Sequence, residues 1–441
     1  MLFGDGLRVG IWGFGREGRS AFNLVRASAV SVVIAVDTLG SQEYPAENPR
    51  VSVAHGDDVA AALLTCDVII VSPGIPAWHP VRAELVRKGV ELTSVTDLWL
   101  RDHAVKCVGV TGTKGKSTTS AMVEHVLKRL GHDAEVAGNI GKPLLDVASD
   151  RGIVVAELGS YQCSTIRVSP RVAVVTNLYQ DHLDWWGGDL VAYWTAKLRV
   201  ASRGAEVLIC DDATAEIARR LVDEADLPPI AIVSGRVAQG KRGRIELPID
   251  RAPFSGFPAH MRQDALFALA AASWVADSDA LYAAPDTLLA DFRSLPFRLE
   301  TVAVHDGIQW VVDTLSTAAE STVAALDAFP DRELVLIVGG QERGIDYSRL
   351  DERLLATDGA IKLVGLPQNG ARIAAAYGAA YPDAVRLVAS MADAVSTARG
   401  LAQPGGVVVL SPAAPSYGSY RDYADKAADF VACLHALGIR G

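Results

Sequence analysis

Residues 107–119 read CVGVTGTKGKSTT, and the rest of the chain is organised around this stretch. The run Val108-Gly109-Val110 has the composition of a buried strand end, and residues 120–130 carry apolar side chains at helical spacing. The glycine-rich segment therefore lies where a strand feeds a helix N-terminus, which is an anion site. Gly112 and Gly115 let backbone N–H groups close around phosphate oxygens, Lys116 adds a point charge, and Ser117 or Thr118 offers a hydroxyl to Mg²⁺. The spacing departs from the usual G-x-x-x-x-G-K-[ST] loop, because Val110 stands where the first glycine belongs. The segment reads as a phosphate loop of a particular kind, against the plainer alternative of a glycine-rich turn with an incidental lysine.

The bulk properties bound what such a loop can serve. At 441 residues the chain exceeds what one hydrophobic core organises, so two or three domains are expected. The formal net charge of -10, with carboxylates spread along the chain, argues against nucleic acid or an anionic membrane surface as the main partner. Cys66, Cys107, Cys163, Cys210 and Cys433 lie far apart with no C-x-x-C pair, so they read as reduced, mostly buried thiols rather than a disulfide framework or a zinc site. No signal-peptide layout and no apolar run of membrane-spanning length is present, which points to the cytoplasm.

Short β-branched runs at 9–12, 32–37 and 68–71 alternate with helical patterns, as in a parallel sheet with crossover helices. The same grammar restarts at Val105 and runs through 153–157, 172–177 and 207–210 to an Ala-rich helix at 263–276. After Leu295-Pro296 it restarts again, with strands at 308–313, 334–339, 361–364 and 407–410. The expectation is an α/β protein of three domains: a Rossmann-like domain over 1–98, a central P-loop ATPase-like domain over 99–296, and a C-terminal Rossmann-like domain over 297–441.

Further motifs admit more than one reading each. Gly13-Phe14-Gly15-Arg16-Glu17-Gly18 follows a strand and opens a helix, with Asp37 ending the next strand. That geometry suits a dinucleotide, any other pyrophosphate such as a nucleotide sugar, or a purely structural turn; Ser72-Pro73-Gly74 at the third strand's end supplies a second backbone nest. Glu157, closing a strand in VVAELGSYQ, suits a hard cation or plain solvent. His182 in TNLYQDHLDWW and Lys197 in YWTAKLRV are open in the same way. A desolvated lysine loses its proton readily, and its neutral amine can take up CO₂ to give a carbamate ligand for a second Mg²⁺.

The order GTKGKSTT, GNIG, ELGSYQ, TNLYQDHLD, AKLR, LPFRLE and LSPAAPSYGSYRDYADKAADF resembles the Mur ligases, specifically the UDP-N-acetylmuramoyl-L-alanine:glutamate ligases of peptidoglycan synthesis, over all three expected domains. The resemblance implies that Gly13, Gly15, Arg16, Glu17, Asp37, Thr38, Ser72, Pro73 and Gly74 surround the UDP moiety. It implies that Gly112, Thr113, Lys114, Gly115, Lys116, Ser117 and Thr118 hold ATP, with Arg298 and Asp313 reaching the nucleotide from the third domain. Ser117, Glu157, His182 and a carbamylated Lys197 become ligands of two Mg²⁺ ions, and Asn139 and Gln162 face the muramoyl substrate. ATP would phosphorylate the substrate carboxylate, and the amine of glutamate would displace the acyl phosphate. A nicotinamide oxidoreductase needs no second phosphate loop, and a P-loop switch or motor needs no Asn139 or Lys197.

Two departures qualify the resemblance. Relatives commonly read H-N-x-x-N-A where this chain has His260-Met261-Arg262-Gln263-Asp264-Ala265, which bears on the adenine contacts. D-glutamate-adding members read D-S-K-A-T-N where this chain has Asp313-Thr314-Leu315-Ser316-Thr317-Ala318. Leu315, Ser316, Thr317, Arg343, Ser416 and Tyr423 form the expected glutamate pocket, with the Arg343 guanidinium replacing a lysine point charge. This pattern resembles a branch that adds L-glutamate and whose product a separate epimerase inverts. L-glutamate is therefore favoured over D-glutamate.

Overall fold

The computed structural model describes residues 6–28, 30–37, 44–45, 48–148, 150, 152–180, 185–293, 295–330, 332–342 and 345–440. The chain forms two compact units, Met1–Phe292 and Arg293–Gly441.

The first unit carries two sheets. In the N-terminal sheet β1 (Arg8–Trp12), β2 (Ser31–Val36), β3 (Val51–His55), β4 (Val68–Val71) and β5 (Glu91–Thr93) run parallel in the order β3-β2-β1-β4-β5. The central sheet contains β6 (Cys107–Thr111), β7 (Ala134–Gly138), β8 (Ile153–Glu157), β9 (Val172–Val175), β10 (Val207–Asp211), β11 (Ile230–Ser234), β12 (Val237–Gln239) and β13 (Arg244–Glu246), in the order β13-β12-β11-β10-β9-β6-β8-β7. Only the β11–β12 and β12–β13 pairings are antiparallel. The inner strands are rich in β-branched residues and buried but for Ile153 at the start of β8, as strands covered by helices on both faces must be. One such cover is the helix Ala259–Val275, whose alanines let it pack closely on the central sheet.

The helix Val95–His103 joins the two sheets and explains why they share one unit. Ser94 caps it by accepting from the Asp97 N–H at 3.1 Å. The buried Asp97 carboxylate then gathers Thr93 Oγ1 at 2.9 Å, Arg101 at 2.8 Å and the Arg167 N–H at 2.9 Å. Leu98 and Trp99 belong to an apolar layer running from Val9 and Ile11 to Val154 and Val175. The expected boundary at residue 98 thus falls within a helix, after the last strand of the first sheet.

The second unit has one sheet of β14 (Glu300–His305), β15 (Ile308–Val312), β16 (Leu334–Val338), β17 (Lys362–Gly365), β18 (Val385–Leu387) and β19 (Val407–Leu410), in the order β14-β15-β19-β16-β17-β18. Only β14–β15 is antiparallel. Apolar clusters cover both faces. The α/β class is as the sequence indicated. All five cysteines are free thiols, four of them buried. No helix among the described residues is long and apolar enough to cross a membrane.

Gly109, in the middle of β6, shows how tightly the central sheet is covered. A Cβ there would lie 2.4 Å from Pro170 Cγ and 3.0 Å from Val200 Cγ2. Gly109→Ala should lower stability by about 1–3 kcal/mol through overpacking. Gly256→Ala, where a Cβ meets nothing within 4 Å, serves as the control. Equal urea midpoints for the two variants would show that strand and Pro170 part freely.

Candidate functional site

Strand register assembles the phosphate loop's surroundings. Val110 in β6 lies opposite Glu157 in β8, and Thr111 opposite Val175 in β9, so Gly112, Glu157 and Thr176 leave the sheet together. A Cβ on Gly112 (φ +142°) would fall 1.9 Å from Thr176 Oγ1, and one on Gly115 (φ +83°) 2.5 Å from Asp264 Oδ1. Both positions require glycine. Gly115 is the N-cap of the helix Lys116–Arg129, in whose first turn Ser117 and Thr118 are buried.

The loop is braced from the segment after β9. The Thr113 hydroxyl donates to Tyr179 O at 3.2 Å and accepts from the Tyr179 N–H at 3.0 Å. The Lys114 N–H donates to Asn177 Oδ1 at 2.9 Å, and its carbonyl accepts from Thr176 Oγ1 at 2.5 Å and Asn177 Nδ2 at 3.1 Å. Lys116 donates to the carbonyls of Gly112 and Thr113 at 3.0 and 2.9 Å. Lys197, buried on the helix Leu190–Leu198, donates to the same Gly112 carbonyl at 2.7 Å and lies 5.0 Å over the Tyr193 ring.

Glu157 ends β8 fully buried. Its Oε1 accepts from Asn139 Nδ2 at 2.8 Å, while Oε2 is buried without a hydrogen-bond partner. An orphaned carboxylate oxygen at a strand tip beside a phosphate cradle fits a hard cation. Among the described residues no group of three or more His, Cys, Asp or Glu side chains could hold a metal. That single orphaned oxygen fits Mg²⁺, which takes one or two carboxylates and completes its shell with phosphate oxygens and water.

The N-terminal sheet offers the second cradle. Trp12 lies opposite Val71, which brings Gly13 to Ser72, whose hydroxyl donates to Gly13 O at 2.9 Å. A Cβ on Gly13 (φ +90°) would sit 2.8 Å from Ser72 Cβ, so packing explains that glycine; Gly15 and Gly74 meet nothing within 4 Å. Their bare backbone faces open space, as a ligand cradle needs. Pro73 lines a small cavity together with Ser72 and Gln162, and Asp37 is exposed beyond β2. Arg16 donates to the carbonyls of Gly141, Gly138 and Asn139 at 2.8, 3.2 and 3.0 Å. Gln162 Nε2 donates to Glu17 Oε1 at 2.6 Å, and its Oε1 accepts from the Gly159 N–H at 2.8 Å. Burial pushes the Glu17 carboxyl up, against the Gln162 hydrogen bond and the Arg16 charge.

In the second unit Asp313 follows β15, and its Oδ2 accepts from Ser316 Oγ at 2.5 Å and Ser411 Oγ at 2.8 Å. The Ser316 hydroxyl is committed to that carboxylate. Leu315 is half-buried and Thr317 exposed. The Tyr423 ring stands edge-on to Phe297, 5.7 Å between centroids. Ser416 is buried, and its hydroxyl has no partner. Thr38, His182 and Arg343 lie outside the described residues.

With this geometry in place, known proteins can be set beside it. The Mur ligase middle domain matches residues 110–239, and the Mur ligase glutamate ligase domain matches residues 297–414. UDP-N-acetylmuramoyl-L-alanine–L-glutamate ligases are similar along the whole chain. That of Salinispora tropica is 38% identical over 97% of both chains, that of a Micromonospora 36% over 97% of this chain and 96% of its own, and that of Xanthomonas oryzae 33% over 97% and 95%. The chain belongs to the Mur ligase family. The fold agrees with the solved MurF ligase of Thermotoga maritima in complex with ADP (TM-score 0.59, 14% identity, covering 98% of this chain and 95% of that one). It agrees also with UDP-N-acetylmuramate-alanine ligase MurC of the same organism (TM-score 0.56, 18% identity, 98% and 100%).

Three residues that brace this Mur ligase's phosphate loop carried no role in the sequence reading. Thr176 and Asn177 stood in the quoted TNLYQDHLD stretch, directly after a strand. Asp264 stood in the His260–Ala265 departure; it is buried beneath Gly115 and accepts from Thr119 Oγ1 at 3.1 Å.

Asp313 supplies a pH test. Burial raises its carboxyl from the ordinary 3.8 to about 6, against hydrogen bonds from Ser316 and Ser411 and the Arg298 charge. A raised carboxyl pKa means that the native state holds a proton the unfolded chain has lost. The contribution to stability is thus full below pH 3.8 and lost as pH rises through about 6. The ¹³C resonance of this carboxyl, assigned by its absence in Asp313→Asn, should titrate near that upper value. A midpoint in the ordinary carboxylate range would show that the hydrogen bonds outweigh burial.

Proposed function

We propose that this Mur ligase joins L-glutamate to UDP-N-acetylmuramoyl-L-alanine at the expense of ATP, in cytoplasmic peptidoglycan precursor synthesis. The observation that carries this reading is the 38% identity over 97% of the chain to a ligase named for that reaction. The departure at Asp313-Thr314-Leu315-Ser316 supports the L enantiomer, since Leu315 brings no cation to the pocket. On this reading 1–98 binds the UDP substrate, 99–296 binds ATP and 297–441 binds glutamate, and an epimerase acts on the product.

The substrate carboxylate cannot itself be displaced by an amine, because its leaving group is an oxide; as an acyl phosphate it can. The glycine cradle from Gly112 to Thr118, in which Asn177 already takes the Thr113 and Lys114 N–H groups, and the Lys116 ammonium hold the ATP phosphates and offset charge on the transferring phosphoryl group. Ser117, Glu157 and His182 hold Mg²⁺, which when bound polarises the phosphoryl oxygens. Asn139 orients the Glu157 carboxylate. Gly15, Arg16, Ser72 and Gly74 cradle the UDP pyrophosphate, with Gln162 on the muramoyl side. By the resemblance, Arg298 and Asp313 are the second unit's candidates for the nucleotide, and Ser416 and Arg343 its candidates for the glutamate carboxylates.

Lys197 is proposed to carry a carbamate and to serve a second Mg²⁺. Two ammonium groups, Lys116 and Lys197, share the Gly112 carbonyl, and like charges that close repel. Loss of a proton from the Lys197 ammonium frees its amine, and addition of CO₂ with loss of a second proton turns it into a carbamate anion beside the other. ¹³C NMR under ¹³CO₂ should give one protein-bound carbamate resonance that Lys197→Ala abolishes. Lys197→Ala should also lose nearly all ligase activity and regain part of it in acetate. A spectrum without that resonance would sink the modification.

Parallel assays with each enantiomer decide the amino acid. L-glutamate should give the higher kcat/KM by at least about tenfold, the equivalent of one well-placed charged contact. A higher value for D-glutamate would overturn the choice of enantiomer and leave the ligase reading intact.

A further inference from the structure

The amino ends of β2 and β3 border a cavity of about 300 Å³, lined by none of the residues given to the ligase site above. Val32 pairs with Val51, so the turn before β3 lies beside the chain that leaves the helix Arg16–Val25 and enters β2. Arg26, which caps that helix, and Arg50, which precedes β3, line the cavity together with Ser28 and Asn48. The buried side chains of Phe22 and Val30 line it as well. Gly13, Gly15, Ser72 and Gly74 follow the carboxyl ends of β1 and β4, at the opposite edge of the same sheet. The two places are separate.

Among the described residues neither guanidinium makes a hydrogen bond or an ion pair, and no carboxylate lines the cavity. The chain has 52 Asp and Glu against 42 Lys and Arg, and Arg101, Arg167, Arg353 and Arg372 each meet a carboxylate. Two arginines sharing one cavity without such a partner leave like charges together, and an anion between them relieves the repulsion. Both stem from fixed backbone. The Arg26 N–H donates to Phe22 O at 2.9 Å, the Arg50 N–H donates to Asn48 Oδ1 at 3.0 Å, and the Arg50 carbonyl accepts from the Val32 N–H at 2.8 Å. With its Oδ1 engaged, Asn48 offers its Nδ2 donors to the cavity, and Ser28 adds a hydroxyl. The polar wall is built for acceptors.

A phosphate monoester carries nearly two charges and three acceptor oxygens, and a guanidinium meets such a group with two parallel N–H donors. The opposite wall suits the body of the ester. Phe22 is held edge-on to Phe14, 5.9 Å between centroids, and with Val30 it offers an apolar face. A volume of about 300 Å³ matches a small molecule, and the chain's net charge of -10 repels an anionic bilayer, which favours a soluble ester over a lipid headgroup. We propose that this cavity binds a small soluble phosphate monoester carried on an apolar ring, with Arg26 and Arg50 gripping the phosphate and Phe22 meeting the ring.

The test follows the ¹⁵Nε resonances of Arg26 and Arg50 in the full-length protein, assigned by their absence in Arg26→Gln and Arg50→Gln, while phenyl phosphate is added. ADP, Mg²⁺ and UDP are present at saturation, so that the two phosphate cradles are filled. Both resonances should shift saturably, with phenyl phosphate binding about tenfold more tightly than inorganic phosphate at equal ionic strength, because the ring leaves water. Each variant should weaken binding about tenfold or more, read on the remaining arginine, as loss of a charge-assisted contact. No saturable shift at millimolar ester, equal affinity for inorganic phosphate, an equal shift with phenol, or wild-type affinity in either variant overturns the proposal. Phosphatidate vesicles that pellet the wild type but neither variant, with phenyl phosphate unable to release it, overturn the soluble class of ligand.

Discussion

The close approach of Gly112 to Thr176 governs the centre of the first unit. With 1.9 Å between Thr176 Oγ1 and the place a Cβ would occupy, any side chain at 112 would drive the loop off the end of β9. The turn sets the Gly112 carbonyl where Lys116, from the helix that follows, and Lys197, from the helix Leu190–Leu198, both reach it. Two lysine nitrogens are thereby brought to one point of the loop by elements far apart in sequence. The same turn leaves Lys114 O to accept from Thr176 and Asn177, so the strand beside the loop holds its shape. A rigid cradle with its donors fixed in advance needs little reorganisation when charge moves, which is what phosphoryl transfer asks of a protein.

Register extends this order to the neighbouring strand. Gly138 in β7 pairs with Glu157 in β8, so the Asn139 side chain reaches the Glu157 carboxylate, and the Asn139 N–H donates to Glu157 O at 2.9 Å. A residue one place earlier or later in β8 would point its side chain to the opposite face of the sheet. The parallel ladder therefore does part of the positioning of the Glu157 carboxylate before any side-chain contact is made.

The phosphate loop, the α/β grammar and the glycine turn of the N-terminal sheet were legible because each depends on neighbours in sequence. A strand end, a left-handed glycine and a helix start lie within ten residues, and their pattern survives in the letters. The braces were not legible. Asp264 meets Thr119 across 145 positions, and Lys426 meets Gly339 across 87; nothing local distinguishes a lysine inside a sheet-end cavity from one on a helix surface. Ser316 is the reverse case: its hydroxyl reads as a free donor in the sequence and is taken up by Asp313, only three positions away.

Arg16 shows how one side chain can serve both the sequence reading and the observed packing. Its guanidinium carries five N–H donors, and three bonds run to the carbonyls of the Gly138–Gly141 turn. Carbonyls orient a guanidinium without neutralising it, so the positive charge stays available to an anion lodged against Gly15. Next to it, Glu17 holds Gln162, and Gln162 holds the Gly159 N–H two residues beyond Glu157. A run of hydrogen bonds thus ties the open cradle of the N-terminal sheet to the cation-fitting carboxylate of the central one. On the proposed reading the nucleotide-sugar end and the phosphoryl-transfer end of the substrate path are held in register by the protein itself. An acyl transfer of this kind requires that, because a misplacement of about 1 Å between reacting groups costs on the order of a hundredfold in rate.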